Sequence, residues 1–155
     1  DSITFETAAA FPLVYETAFR MLVTRSQLAA GEWVLIWGIG GGVATAAFEI
    51  ARAIGAKTLV TSGSEAKLRT AREWGADLAV PHADAATAAK ELGGVDLVVE
   101  TVGEATWRDS LAAVKVGIEV NVEYLVQVGG VEVGAVEVVL EPGFHVSHRL
   151  PTPPC

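Results

Sequence analysis

Val34-Leu35-Ile36-Trp37-Gly38-Ile39-Gly40-Gly41-Gly42-Val43-Ala44 is the stretch from which the rest of the chain can be read. Its first part, Trp33 to Trp37, is short and almost wholly apolar. Such a run suits a strand buried on both faces, as a parallel sheet requires. A glycine cluster follows. Beyond it, Val43, Ala47, Ile50 and Ile54 recur at helical spacing and so share one face. Gly55 stands where a left-handed C-terminal stop is expected. The pattern then repeats: Lys57 to Thr61 reads as a strand and Ser64 to Trp74 as a helix with Ser64 at its N-cap. Leu78 to Val80 is a strand, Ala83 to Leu92 a helix, Asp96 to Glu100 a strand and Ala105 to Val114 a helix. Upstream, Ala8 to Thr24 reads as a helix, with Pro12 either in its first turn or breaking it. Strands and helices alternating over such short connections predict an α/β fold, a doubly wound, Rossmann-like parallel sheet of at least four strands.

The position of the glycines between strand and helix gives them chemistry. A tight strand-to-helix turn needs positive φ, which glycine tolerates. Bare backbone lets a pyrophosphate approach, and the free amides and dipole of the helix N-terminus then hold it. Ala44 and Ala47 are small enough for close helix–strand packing. The bland alternative is a glycine-rich turn that merely closes a βα unit. No Gly-Lys-Ser/Thr ending follows, which argues against a P-loop nucleoside triphosphatase. An NAD site calls for an acid at the end of the second strand, roughly 20 residues on. Here Thr61-Ser62-Gly63-Ser64 stands in that place. Small hydroxyls with Lys67 nearby suit a 2′-phosphate, so NADP(H) is favoured over NAD(H). The competing reading is that Ser64 only caps a helix and Lys67 only faces water. Glu65 is an acid nearby, but as a first-turn helix residue it is expected to serve the dipole instead. Thr101, Val102 and Gly103 leave the carboxyl end of a strand, where ligands of such sheets sit, and are further candidate cofactor contacts.

The composition narrows the partners. The chain has 155 residues with 11 basic and 19 acidic side chains, a net charge of −8. Nucleic acid binding needs clustered Lys and Arg, so none is expected. No apolar run reaches the ~18 residues of a membrane span. Cys155 is the only cysteine, so no disulfide forms within the chain. Asp1-Ser2-Ile3-Thr4 has no basic leader, and a cytoplasmic location is expected. Alanine usage divides the chain near Gly117: residues 1–117 hold 24 alanines, and 118–155 hold Ala135 alone but 10 valines. We therefore expect a dinucleotide-binding domain over 1–117 and a valine-rich β tail over 118–155, ending in Pro151-Thr152-Pro153-Pro154. In the tail, Val126 to Val133 has Gly129-Gly130 between alternating segments, a hairpin whose exposed edge could pair two copies as a homodimer. His145, His148 and Cys155 are too few and too scattered for a zinc site. His82 reads as a loop residue, and Trp33, Trp37, Trp74 and Trp107 as core.

Together these motifs resemble the medium-chain dehydrogenase/reductase superfamily, most closely its zinc-binding alcohol dehydrogenase-like, quinone oxidoreductase and crotonyl-CoA reductase branch. The likeness runs from about Thr7 to Gly117. It includes Ala8-Ala9-Ala10-Phe11-Pro12 through Thr17-Ala18-Phe19, Gly31 to Ile36, the glycine loop, Glu65-Ala66-Lys67-Leu68, Trp74-Gly75-Ala76-Asp77 and Asp96 to Gly103. The superfamily's loop is Gly-x-x-Gly-Gly-Val-Gly. Gly38, Gly41, Gly42 and Val43 match it, and Ala44 replaces the last glycine. Gly40 is an additional glycine within the same loop. The resemblance implies a cofactor domain of an NADP(H)-dependent oxidoreductase that moves hydride to or from a carbonyl, alcohol or activated alkene. It places Thr17 near the nicotinamide, Gly41, Gly42 and Val43 near the pyrophosphate, and Ser62, Ser64 and Lys67 near the adenosine phosphate. The superfamily's substrate domain, with its zinc ligands, has no counterpart in this chain. No zinc and no catalytic residue is therefore assigned, and a small-molecule substrate is expected only where a substrate domain is supplied. The alternative is a non-catalytic dinucleotide-binding or regulatory module.

Overall fold

A computed structural model describes residues 3–115 throughout and, beyond them, the backbone of five further strands. The helix α1 (Phe5–Phe19) runs into a π-helical turn, Arg20–Arg25. The alternating body follows: β1 (Trp33–Ile36), α2 (Gly42–Ile54), β2 (Lys57–Ser62), α3 (Glu65–Glu73), β3 (Leu78–Pro81), α4 (Ala85–Glu91), β4 (Leu97–Val99) and α5 (Glu104–Ala113). A 3₁₀ turn, His82–Asp84, joins β3 to α4. The four strands form one sheet in the order β3-β2-β1-β4, and every pairing is parallel.

The period of two along each strand divides the core. Val34 and Ile36 of β1, Val60 of β2 and Leu97 and Val99 of β4 pack under α1, α2 and α3. Leu35 and Trp37, Leu59 and Val98 point the other way, against Ala85 and Ala89 of α4 and Ala113 of α5. Val34 to Trp37 are completely buried, and each such side chain contributes roughly 1.5–3 kcal/mol. The sheet is thus doubly wound, as the apolar runs predict. Gly55 ends α2 in the left-handed conformation at φ 86°.

Two local expectations are corrected. Pro12 neither starts nor breaks α1 but lies inside it. The carbonyl its ring frees belongs to Ala8, which faces solvent along with all of residues 3–13, so water can satisfy it. Trp74 is not core: it is 48% exposed at the C-cap of α3, one residue before Gly75 turns the chain at φ 92°.

Beyond residue 115, β5 (Glu119–Val122), β8 (Val136–Leu140) and β9 (Val146–Arg149) form an antiparallel sheet in the order β5-β8-β9. β6 (Val126–Val128) and β7 (Val131–Val133) pair as an antiparallel ladder, with Val126 opposite Val133. The expected hairpin is present as that ladder; its Gly129-Gly130 turn lies outside the described residues, as do His145 and Cys155. No helix among the described residues is long and apolar enough to cross a membrane.

Candidate functional site

The loops leaving the carboxyl ends of β1, β2 and β4 meet at one rim of the sheet. After β1 the chain turns at Gly38 (φ 69°) and Gly40 (φ 94°), two positions that a side chain would strain. The turn is tied to its neighbours on both sides. The Ile39 amide donates to the Thr61 carbonyl (2.8 Å), and the Trp37 amide donates to the Val99 carbonyl (3.2 Å). A Cβ on Gly38 would lie 3.9 Å from Cγ2 of Val102, so the tips of β1 and β4 touch.

The Gly41 amide is used within the loop, donating to the Gly38 carbonyl (3.1 Å). The first bond of α2 runs from the Thr45 amide to the Gly41 carbonyl (2.9 Å). The amides of Gly42, Val43 and Ala44 precede it and point out of the helix mouth. No acid stands in the first turn of α2. The backbone here is therefore net positive and open to an external anion.

The glycines divide their work. Gly38 and Gly40 supply conformation, and Gly41 (φ −84°) supplies bareness at the mouth. Gly42 serves packing: a Cβ there would sit 2.9 Å from Cγ1 of Val14 on α1. Thr17 lies one turn beyond Val14 on the same face of α1, and its hydroxyl donates to the Leu13 carbonyl (2.7 Å). Tyr15 ties the two helices together by donating to the Glu49 carboxylate. That bond, with burial and the nearby negative charge behind it, raises the phenol's pKa above its ordinary value.

At the end of β2, Ser62 is buried and its hydroxyl accepts from the Ser64 amide (3.1 Å). Ser64 occupies the N-cap position of α3 as expected, but its side chain makes no capping bond. Glu65 pairs with Arg72 (2.8 Å). Lys67 extends over the glycine turn, where a Cβ on Gly40 would meet its Cδ at 2.9 Å and its Nζ at 3.3 Å. Beside it a cavity of about 190 Å³ is lined by Ile39, Gly40, Ala66, Lys67, Thr70 and Trp74.

Glu100 is the residue that sequence reading misses. It is 2% exposed, and it accepts from the amides of Val102 (2.8 Å) and Gly103 (3.1 Å), from Thr106 Oγ1 (2.8 and 2.9 Å) and from Ser110. Its carboxylate ties down the turn that leads into α5, Thr101 to Gly103, with Gly103 at φ 99°. An acid directly after Leu97-Val98-Val99 was the available signal: a charge at the end of a buried strand needs several donors. Thr101 and Val102 are exposed at the rim, whereas Gly103 is buried.

Comparison with known proteins identifies the family. Residues 42–139 match the family model for zinc-binding dehydrogenases, so the likeness continues past Gly117 into the valine-rich segment. The chain is 32% identical over 127 residues to an acryloyl-coenzyme A reductase of Sulfurisphaera tokodaii, covering 82% of this chain and 36% of that protein. The quinone oxidoreductase of Thermus thermophilus, described with its NADPH complex, superposes with a TM-score of 0.70 at 36% identity. It covers 76% of this chain and 39% of its own. An NAD-dependent alcohol dehydrogenase does so equally, with a TM-score of 0.70 and 36% identity over 75% of this chain and 35% of its own. The chain thus spans between a third and two-fifths of the length of these relatives. Zinc, which the family's description implies, does not fit the described residues: no three His, Cys, Asp or Glu side chains converge among them, and a zinc site takes three or four ligands.

Proposed function

Because the chain belongs to the zinc-binding dehydrogenase family, within the medium-chain dehydrogenase/reductases, we propose that it is the cofactor-binding part of an NADP(H)-dependent oxidoreductase acting on a carbonyl, alcohol or activated alkene. The observation that carries this reading is the mouth of α2: three amides ahead of the first helical bond, bare glycine at the entrance and no acid in the first turn. A bound nicotinamide dinucleotide would supply hydride chemistry. The protein's part is to hold it. Gly42, Val43 and Ala44 grip the diphosphate from the backbone. Ser62 and Lys67 take the adenosine phosphate, and the rim at Thr101 and Val102 lies toward the nicotinamide half, with Thr17 on the α1 side.

The preference for NADP(H) rests on this chain's own residues, since its relatives include both kinds of enzyme. No acid ends β2, and the nearest one, Glu65, is paired with Arg72. The Lys67 ammonium already lies over the loop. Hydride transfer also needs a substrate held against the nicotinamide. We assign that task to protein beyond this chain, so the isolated chain binds cofactor but turns over poorly.

Titration with NADPH and NADH, followed by nicotinamide fluorescence, tests the assignment. NADPH binds more tightly, and Lys67→Ala weakens NADPH by about tenfold while leaving NADH nearly unchanged. Tighter NADH binding would overturn the role given to Ser62 and Lys67.

A further inference from the structure

We propose that His82 is a positioning residue for the glycine loop, acting through the buried hydroxyl of Thr61. This rests on the reading that the loop carries the diphosphate of a dinucleotide. His82 opens the 3₁₀ turn after β3, and Pro81 just before it is in register with Ser62 of β2. Its ring is wedged between the tips of β1 and β2. One face stacks on Trp37, with centroids 5.6 Å apart and planes 28° from parallel. Its Cδ2 would be 3.7 Å from a Cβ on Gly63. Nδ1 is 2.9 Å from Thr61 Oγ1.

Thr61 is completely buried and reaches the loop twice. Its carbonyl accepts from the Ile39 amide (2.8 Å), and its hydroxyl oxygen accepts from the Gly38 amide at 3.4 Å. Those contacts span the residue at which the loop enters positive φ. The proton arrangement follows. Gly38 N–H has no lone pair to offer, so Thr61 Oγ1 must accept from it, and the Thr61 proton must go elsewhere. His82 Nδ1 is the partner in reach, provided that it carries a lone pair. The relay therefore selects the neutral tautomer with its proton on Nε2. A proton on Nδ1 would leave the Thr61 hydroxyl accepting twice while its own buried proton lacked this acceptor. Sequence alone marks His82 as a loop residue because nothing in Val80-Pro81-His82 reveals that β3 ends beside β2.

The relay can be read with and without cofactor in the full chain. ¹⁵N spectra of labelled histidine should show His82 as the Nε2–H tautomer, with its signals moved by Thr61→Val. An Nδ1–H tautomer, or signals blind to Thr61→Val, overturns the relay. In cofactor titrations, His82→Ala weakens NADPH and NADH equally, by about five- to tenfold, because the diphosphate grip is common to both. His82→Asn restores most of that, since its amide oxygen can accept from Thr61. Thr61→Val reproduces the loss, and adding His82→Ala to it costs nothing more. Unchanged binding in His82→Ala, a loss confined to NADPH, or losses that multiply would each overturn the proposal. Should the unaltered chain bind neither dinucleotide, the proposed function fails, while the tautomer still decides the relay.

Discussion

Helices α2 and α5 begin side by side at the same rim of the sheet, after the neighbouring strands β1 and β4, yet their mouths are built in opposite ways. The entrance to α5 is tied from within: Glu100 takes the amides of Val102 and Gly103, just ahead of the helix, and two hydroxyls of the helix itself. The mouth of α2 has no acid and is lined with glycine. Both present the same backbone charge. At α5 an internal carboxylate fixes the turn into the helix; at α2 no internal acid stands in that place.

The largest effect expected from this contrast is on stability. Glu100→Leu strands buried donors and should cost about 3–5 kcal/mol in urea unfolding, whereas Glu100→Gln, which keeps one acceptor, should cost about 1 kcal/mol. Equal and small losses for the two would mean that the carboxylate does not hold the α5 mouth. The reverse experiment is Gly41→Asp, which gives α2 the internal anion that α5 already has. Cofactor affinity should fall about a hundredfold or more, equivalent to ~2.7 kcal/mol, by isothermal titration. Because Gly41 lies at φ −84°, the fold should survive, as circular dichroism can verify. Binding that survives as well would break the comparison.

A smaller effect separates packing from binding inside the glycine loop. Gly42→Ala places a methyl 2.9 Å from Val14 Cγ1, and α1 must give way. About 1–2 kcal/mol of stability should be lost. The smallest effect concerns the tie between α1 and α2. Tyr15 holds its proton more tightly when folded than when unfolded, because Glu49 accepts it. Its contribution is complete below the ordinary phenol value of 10.0 and is lost as pH rises through the raised one. Tyr15→Phe should therefore cost a few tenths of a kcal/mol near neutral pH, and the difference from the unaltered chain should vanish in strong alkali.

Much of the architecture was legible along the chain because strands buried on both faces leave a one-dimensional trace. Trp33 to Trp37 is apolar throughout, and Val43, Ala47, Ile50 and Ile54 keep a helical period. The place of Pro12 is not legible in the sequence, because proline's cost depends on whether the carbonyl that it frees can find water. Nor is the exposure of Trp74, because a tryptophan has no period of its own and its exposure depends on where α3 ends. The positive φ expected of the glycine turn is found at Gly38 and Gly40. Gly42 was assigned to the ligand but is also required by α1, a contact between residues distant along the chain.

By itself, the sequence determined the alternation of strands and helices, the glycine turn between the first of them and the lack of an acid at the end of β2. These are local properties, set by side-chain size, period and backbone freedom. Tertiary structure alone decided which helix mouth stays open, what Glu100 holds, that Lys67 lies over Gly40 and that His82 reaches Thr61. Each of those depends on which strand ends come to lie side by side, and the order β3-β2-β1-β4 is a property of the folded sheet.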